Sequence, residues 1–136
     1  YLLAGCDDGC YVWDITLNKK EGRCSYHAEF SFPIYKKKSE DNDYHTIDGL
    51  VFLNDDLIAS KSAMQGSIYI WSWKKSFPKQ RSMNSSKKAE AAVLAELKWS
   101  QTELPYLTLT NSSEGLCLFC GDEAGKVWIY DLETCQ

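Results

Sequence analysis

Long apolar runs are missing from this chain of 136 residues. None approaches the roughly 20 apolar residues that a membrane-crossing helix needs. No stretch has the basic start and apolar middle of a secretory leader. No membrane contact is expected, and the absence fits a soluble, intracellular parent. Proline and glycine are sparse, at three and eight residues, which excludes a low-complexity disordered chain. There is no Gly-rich phosphate loop, no Gly-x-Ser-x-Gly elbow and no His-Glu-x-x-His pair. Carboxylate pairs do occur, at Asp7-Asp8, Asp55-Asp56 and Asp122-Glu123. All three fall in expected hairpin turns, where Asp suits the turn backbone. An enzyme is not expected, nor a cofactor or a small-molecule substrate.

Six cysteines are present: Cys6, Cys10, Cys24, Cys117, Cys120 and Cys135. Most lie in or beside expected strands, where a free thiol packs as a small apolar residue. Cys117 and Cys120 have the spacing of half a zinc site. Residues three apart in a strand face opposite sides, however, and no second pair supplies the remaining ligands. No metal is expected, and the thiols are expected to stay reduced, as in the nucleus or cytosol.

What the chain does have is a segment that occurs three times. It reads Leu-Leu-Ala-Gly-Cys-Asp-Asp-Gly-Cys-Tyr-Val-Trp-Asp-Ile at 2–15. It returns from Leu57 to Trp73, and again as Leu-Phe-Cys-Gly-Asp-Glu-Ala-Gly-Lys-Val-Trp-Ile-Tyr-Asp-Leu at 118–132. Each copy is an apolar strand, a polar turn with a glycine, and a second strand ending in an aromatic residue. The matching aromatics are Trp13, Trp71 and Tyr130. A fixed period with a Trp-Asp ending is the signature of a β-propeller. The fold class is therefore all-β, a partial propeller of about two and a half WD-type blades, each of four antiparallel strands. One blade cannot bury both faces alone, and a propeller usually has four to eight blades. The chain, which opens at Tyr1-Leu2-Leu3, reads as a fragment (1–136) of one such domain.

The blade pieces fall at about 1–31, 45–99 and 104–136. In the first, 2–6 and 11–16 make a hairpin around Asp7-Asp8-Gly9, with an outer strand at 23–31. In the second, strands are expected at 47–53, 57–62 and 67–73. Ala91 to Trp99 supplies the outer strand, although its run of Ala, Leu and Glu would also suit a short helix. The third has strands at 106–110, 116–121 and 126–132. Trp13, Trp71 and Trp128 are expected to fill the space between blades. His45 reads as a structural residue bonding Ser60, which in turn meets Trp71. The turn at 63–66 lacks the Asp that would complete such a network.

The net charge of −4 argues against a chain built to coat nucleic acid. One stretch departs from it. Residues 74–88 carry six cations, Lys74, Lys75, Lys79, Arg81, Lys87 and Lys88, and no acid. Read as a loop with nothing to neutralise it, this segment is either a solvated surface or a weak contact for nucleic acid or an acidic partner.

The string Asp-Leu-Ile-Ala-Ser-Lys-Ser at 56–62, with Phe32-Pro33 upstream, resembles the sixth-blade region of the Polycomb propeller called embryonic ectoderm development. So does Leu104-Pro105-Tyr106 together with Gly125-Lys-Val-Trp-Ile-Tyr-Asp-Leu-Glu133. Ile70-Trp-Ser-Trp73, Glu103-Leu-Pro-Tyr106 and Cys120-Gly-Asp-Glu123 resemble more closely a family of leucine-rich-repeat and WD-repeat proteins associated with the origin recognition complex. The resemblance covers about 26–134. It implies a nuclear chromatin scaffold that binds origin recognition complex subunits and trimethyl-lysine histone tails. Such readers hold the quaternary cation against aromatic faces. Tyr106 falls at a cage tyrosine of the Polycomb protein. Pro105 falls where that protein has a tryptophan, so one wall would differ.

Overall fold

The computed structural model of the chain describes residues 1–7, 9–15, 25–32, 46–77, 88–100, 102–104 and 109–134. The strands are β1 (Leu2–Cys6), β2 (Gly9–Asp14), β3 (Ser25–Ser31), β4 (Gly49–Phe52), β5 (Leu57–Ser62) and β6 (Ser67–Ser72). A one-turn helix α1 (Trp73–Ser76) follows, then β7 (Lys88–Glu90), β8 (Ala92–Lys98), β9 (Leu109–Asn111), β10 (Cys117–Gly121) and β11 (Val127–Asp131). They form three sheets, ordered β1-β2-β3-β7, β4-β5-β6-β8 and β11-β10-β9. This is a partial WD propeller whose sheets do not close into a ring.

The repeat in the sequence is a repeat in register. Leu2 opposes Trp13, Ile58 opposes Trp71, and Leu118 opposes Tyr130. In the first two sheets the outward pairing of that strand slips by one residue at the same place, between Val12 and Trp13 and between Ile70 and Trp71. A bulge bends and twists the strand locally, and its recurrence gives both blades the same turn toward the outer strand.

The middle sheet is covered on both faces, which explains why all six residues of β6 are buried. Tyr69 and Trp71 face the first sheet, packing with Phe30, Phe32, Val12 and Ile47. Ile68 and Ile70 face the third, packing with Leu118, Cys120, Tyr130 and Trp99. Alternation along a strand thus serves two cores. Each large side chain so covered contributes roughly 1.5–3 kcal/mol. The far face of the third sheet is open, with Val127 and Ile129 exposed.

The outer strand expected from Ala91 to Trp99 is present as β8, Ala92–Lys98, and the helical alternative for this stretch falls. Pairing with β6 along its length overrides helix propensity. Three other expectations need correction. Residues 74–88 are not one loop, since Lys74 and Lys75 lie in α1 and Lys88 opens β7. The first sheet gains a parallel partner beyond its outer strand, because β7 pairs Glu29 with Lys88 and Phe30 with Ala89. Finally, Trp13 and Trp128 are only half-buried, and of the three tryptophans Trp71 alone is fully enclosed. Trp128 packs at the margin of the second core, while Trp13 stands against Tyr11, with ring centroids 6.2 Å apart.

Candidate functional site

The connections between blades dock on the turn of the blade just left. Ile47 N donates to Cys6 O at 2.8 Å, and Thr46 Oγ1 to Asp7 O at 3.3 Å. One blade on, Trp99 N donates to Gly66 O at 2.9 Å and Thr102 N to Ala63 O at 3.4 Å. Gly66 can close that turn because it adopts φ 62°, where a side chain is disfavoured. Residues 102–104 then reach the third sheet, where Leu104 N donates to the Glu123 carboxylate at 2.8 Å. It leads directly into Pro105 and Tyr106, which lie outside the described residues.

The turn that receives Leu104 is built by Asp122. Its carboxylate accepts from Ala124 N at 2.9 Å, Lys126 N at 3.0 Å and Trp128 Nε1 at 2.8 Å. The Trp128 bond, with the Lys126 amide, holds this carboxyl below its ordinary value. Gly125 adopts φ 76° in the same turn. Tyr130 donates its phenol to Lys98 O at 2.7 Å, tying β11 to the end of β8. Burial pushes that phenol up to about 12, so it remains a donor at neutral pH.

Beneath the segment lies a buried ion pair. Lys61 Nζ is 2.9 Å from Asp48 Oδ1, and both side chains are fully enclosed. The ammonium also sits 4.7 Å from the centre of the Trp99 ring. Asp48 Oδ1 accepts from Ala63 N at 3.3 Å, and Asp48 N donates to Lys61 O at 3.0 Å. The lysine fits because residue 49 is glycine: a Cβ there would lie 2.9 Å from Lys61 Cε. This arrangement was missed in the sequence. The signal was a lysine inside a strand flanked by two other sheets, where a charge must find a partner.

The turn that docks Thr102 and the helix that carries Lys74 and Lys75 lie at opposite ends of the middle blade. β6 starts at the turn that docks Thr102 and ends at α1, roughly 20 Å away at about 3.4 Å per residue. At that far end Lys74 and Lys75 are exposed. Asp56 accepts from Lys74 N at 2.7 Å and from Ser72 Oγ at 2.9 Å. The Lys74 amide, together with the charges of Lys74 and Lys75, holds Asp56 below its ordinary value. Lys88 pairs with Glu29 at 3.1 Å. These acids come from other parts of the chain, so the basic stretch is not free of neutralising charge. Lys79, Arg81 and Lys87 lie outside the described residues, as does His45. Ser60 Oγ and Trp71 Nε1 have no hydrogen-bond partner among the described residues. No group of His, Cys, Asp or Glu among those residues could hold a metal ion, and no helix among them could cross a membrane.

Three repeated hairpins on one register, docked connection to turn, narrow the fold to a WD propeller. A family model described as the WD domain of leucine-rich repeat and WD repeat-containing protein 1 matches residues 1–136. The chain belongs to that WD-domain family. It is 58% identical over its whole length to leucine-rich repeat and WD repeat-containing protein 1 of Xenopus tropicalis, covering 20% of that relative. It is 49% identical to the Danio rerio protein of that name over 97% of the chain, covering 17% of the relative. With the Homo sapiens protein the identity is 38% over 98% of the chain, again covering 20% of the relative. The chain thus spans about a fifth of the length of these relatives. WD domains of this kind generally serve as protein-interaction scaffolds rather than catalysts.

Proposed function

We propose that this WD domain is the non-enzymatic recognition module of a nuclear, chromatin-associated protein, reading trimethyl-lysine histone tails with Tyr106 as a cage residue. In this reading it also binds the origin recognition complex and supports replication initiation and heterochromatin. The observation that carries it is the Glu123–Leu104 bond of 2.8 Å, which anchors the segment entering Pro105-Tyr106 beside an acidic turn. Glu103 and Glu123 are both exposed there, with Lys126 as the cation of the same turn. An acidic rim suits a lysine-rich tail, and an aromatic face suits a quaternary ammonium that water solvates weakly. The basic stretch is less suited to nucleic acid, because its described cations stand beside Asp56 or pair with Glu29.

The test is a calorimetric titration of trimethylated and unmodified histone-tail peptides into the full-length protein, wild type and Tyr106→Ala. Preference for the methylated peptide that disappears in the variant supports the reader. No preference in the wild type leaves a WD-repeat adaptor without methyl-lysine binding.

A further inference from the structure

The aromatic core between the first two sheets does not stop at the surface. From Trp71 it runs to Phe30, with ring centroids 5.4 Å apart, and from Phe30 to Trp73 at 6.0 Å and Phe77 at 5.1 Å. Trp73 and Phe77 stand 4.7 Å apart. Beyond them Tyr1 lies 5.7 Å and Phe52 6.4 Å from the Trp73 ring. Tyr1 is 61% exposed and Phe52 52%. The residue before β1, the end of β4 and the start of α1 thus meet at one mouth between two blades. Folded proteins rarely leave several large apolar side chains together in water without a partner for them.

The mouth is fixed from behind. Trp73 N donates to Asp56 O at 2.7 Å, Lys74 N to the Asp56 carboxylate at 2.7 Å, and Lys75 N to Ser72 Oγ at 3.1 Å. Ala92 N donates to Ser76 Oγ at 2.9 Å, tying α1 to β8. A surface shaped in advance loses little order on binding. Lys74 and Lys75 border the rings and are exposed. Asp56 feels both charges, yet its carboxylate is committed to Ser72 Oγ and Lys74 N, and among the described residues neither ammonium forms an ion pair. Asp55 is exposed in the same turn as Asp56. Two cations so balanced are too few for a phosphate backbone, but each can pair with a single carboxylate beside an apolar anchor.

We propose that this mouth docks a protein segment carrying an aromatic or leucine anchor next to Asp or Glu: the anchor covers Phe52 and Trp73, and the acid pairs with Lys74 or Lys75. The surface shares no residue with the methyl-lysine reading, so each can fail without the other.

Short random peptides displayed on phage, selected on the full-length protein and then titrated by fluorescence anisotropy, test the proposal. Enriched peptides should carry an aromatic or leucine beside an acid. Their affinity should fall about tenfold in Phe52→Ser and in Lys74→Glu/Lys75→Glu, and stay within about threefold in Lys74→Arg/Lys75→Arg. All these positions are exposed, so the fold should survive each change. No enriched peptide, or peptides indifferent to both the Phe52 and the charge-reversing variants, overturns the proposal. Displacement of the peptides by a short DNA duplex also overturns it, because the mouth would then be a polyanion contact. Phe52→Cys in the full-length protein checks access. The introduced thiol should react with a maleimide as fast as a free thiol, read by peptide mass mapping. Protection there would mean that the rest of the protein covers the rings, and would overturn the proposal as well.

Discussion

The amide of Ala91 donates to the carbonyl of Ser31 at 2.8 Å, joining residues from two different blades. It follows directly on β7, which runs parallel to β3 for three residues before the chain enters β8 of the next sheet. An outer strand left bare presents a row of unpaired backbone groups. Here the neighbouring blade covers that edge, and the Lys88–Glu29 pair and the Ser31 Oγ–Ala89 O bond at 3.4 Å reinforce the contact.

Ala91→Pro removes that donor while keeping an extended backbone. The loss should be about 1 kcal/mol, the net worth of one hydrogen bond, read as a lower Tm of the full-length protein. Faster exchange should appear at β3 and β7 and not at β10. An unchanged Tm and exchange pattern would mean the inter-blade ladder contributes nothing.

Trp71 is fully enclosed between Phe30 and Phe32, with ring centroids 5.4 Å and 5.5 Å away. Trp71→Ala should cost about 3–5 kcal/mol, the range for large core truncations. Its Nε1 has no partner among the described residues, so Trp71→Phe leaves no polar atom stranded and should cost roughly half as much. Chemical denaturation separates the two. Equal losses would mean that the indole nitrogen matters.

Acid should loosen the turns before the cores. Asp122 and Asp56 both titrate below the ordinary 3.8 in the folded chain, through Trp128 and the Lys74 amide respectively. A depressed carboxyl contributes stability that is present above its ordinary value and lost as pH falls through the folded value. The Tm should therefore hold from pH 7 to about pH 5 and drop below about pH 4. In the double variant Asp56→Asn/Asp122→Asn it should start lower and drop less. A parallel drop in wild type and variant would exclude these two carboxylates as the cause.

Cys120 is buried, and burial pushes its thiol up to about 11. The thiolate is the reactive form, so iodoacetamide at pH 8 should label Cys120 only as fast as the propeller opens. Peptide mass mapping reads the rate. A raised thiol contributes stability below its ordinary 9.0 that disappears as pH climbs through 11. Labelling at the rate of a free thiol in the folded protein would contradict this burial.

The repeated hairpins were legible because their causes are local. Asp-Gly and Gly turns, period-two apolar strands and a recurring aromatic each act within a few residues. Asn54 shows how local the turn logic is, its Oδ1 accepting from Asp56 N at 2.9 Å and Leu57 N at 2.8 Å. The stretch at 92–98 was ambiguous for the opposite reason. Its composition suits a helix, and only pairing with Ser67–Ser72 makes it a strand. The basic stretch carries no acid in sequence, yet Asp56 and Glu29 approach it through space.

By itself, then, the sequence determined the blade pattern, the strand faces and the family, since hydrophobic period and turn chemistry are written residue by residue. Tertiary structure alone decided that β7 crosses to the neighbouring blade, that Lys61 and Asp48 meet beneath Trp99, and that Thr102 and Lys74 lie at opposite ends of the middle sheet. Each of these depends on residues between 13 and 60 positions apart being brought together or held apart by packing. No local propensity encodes such distances.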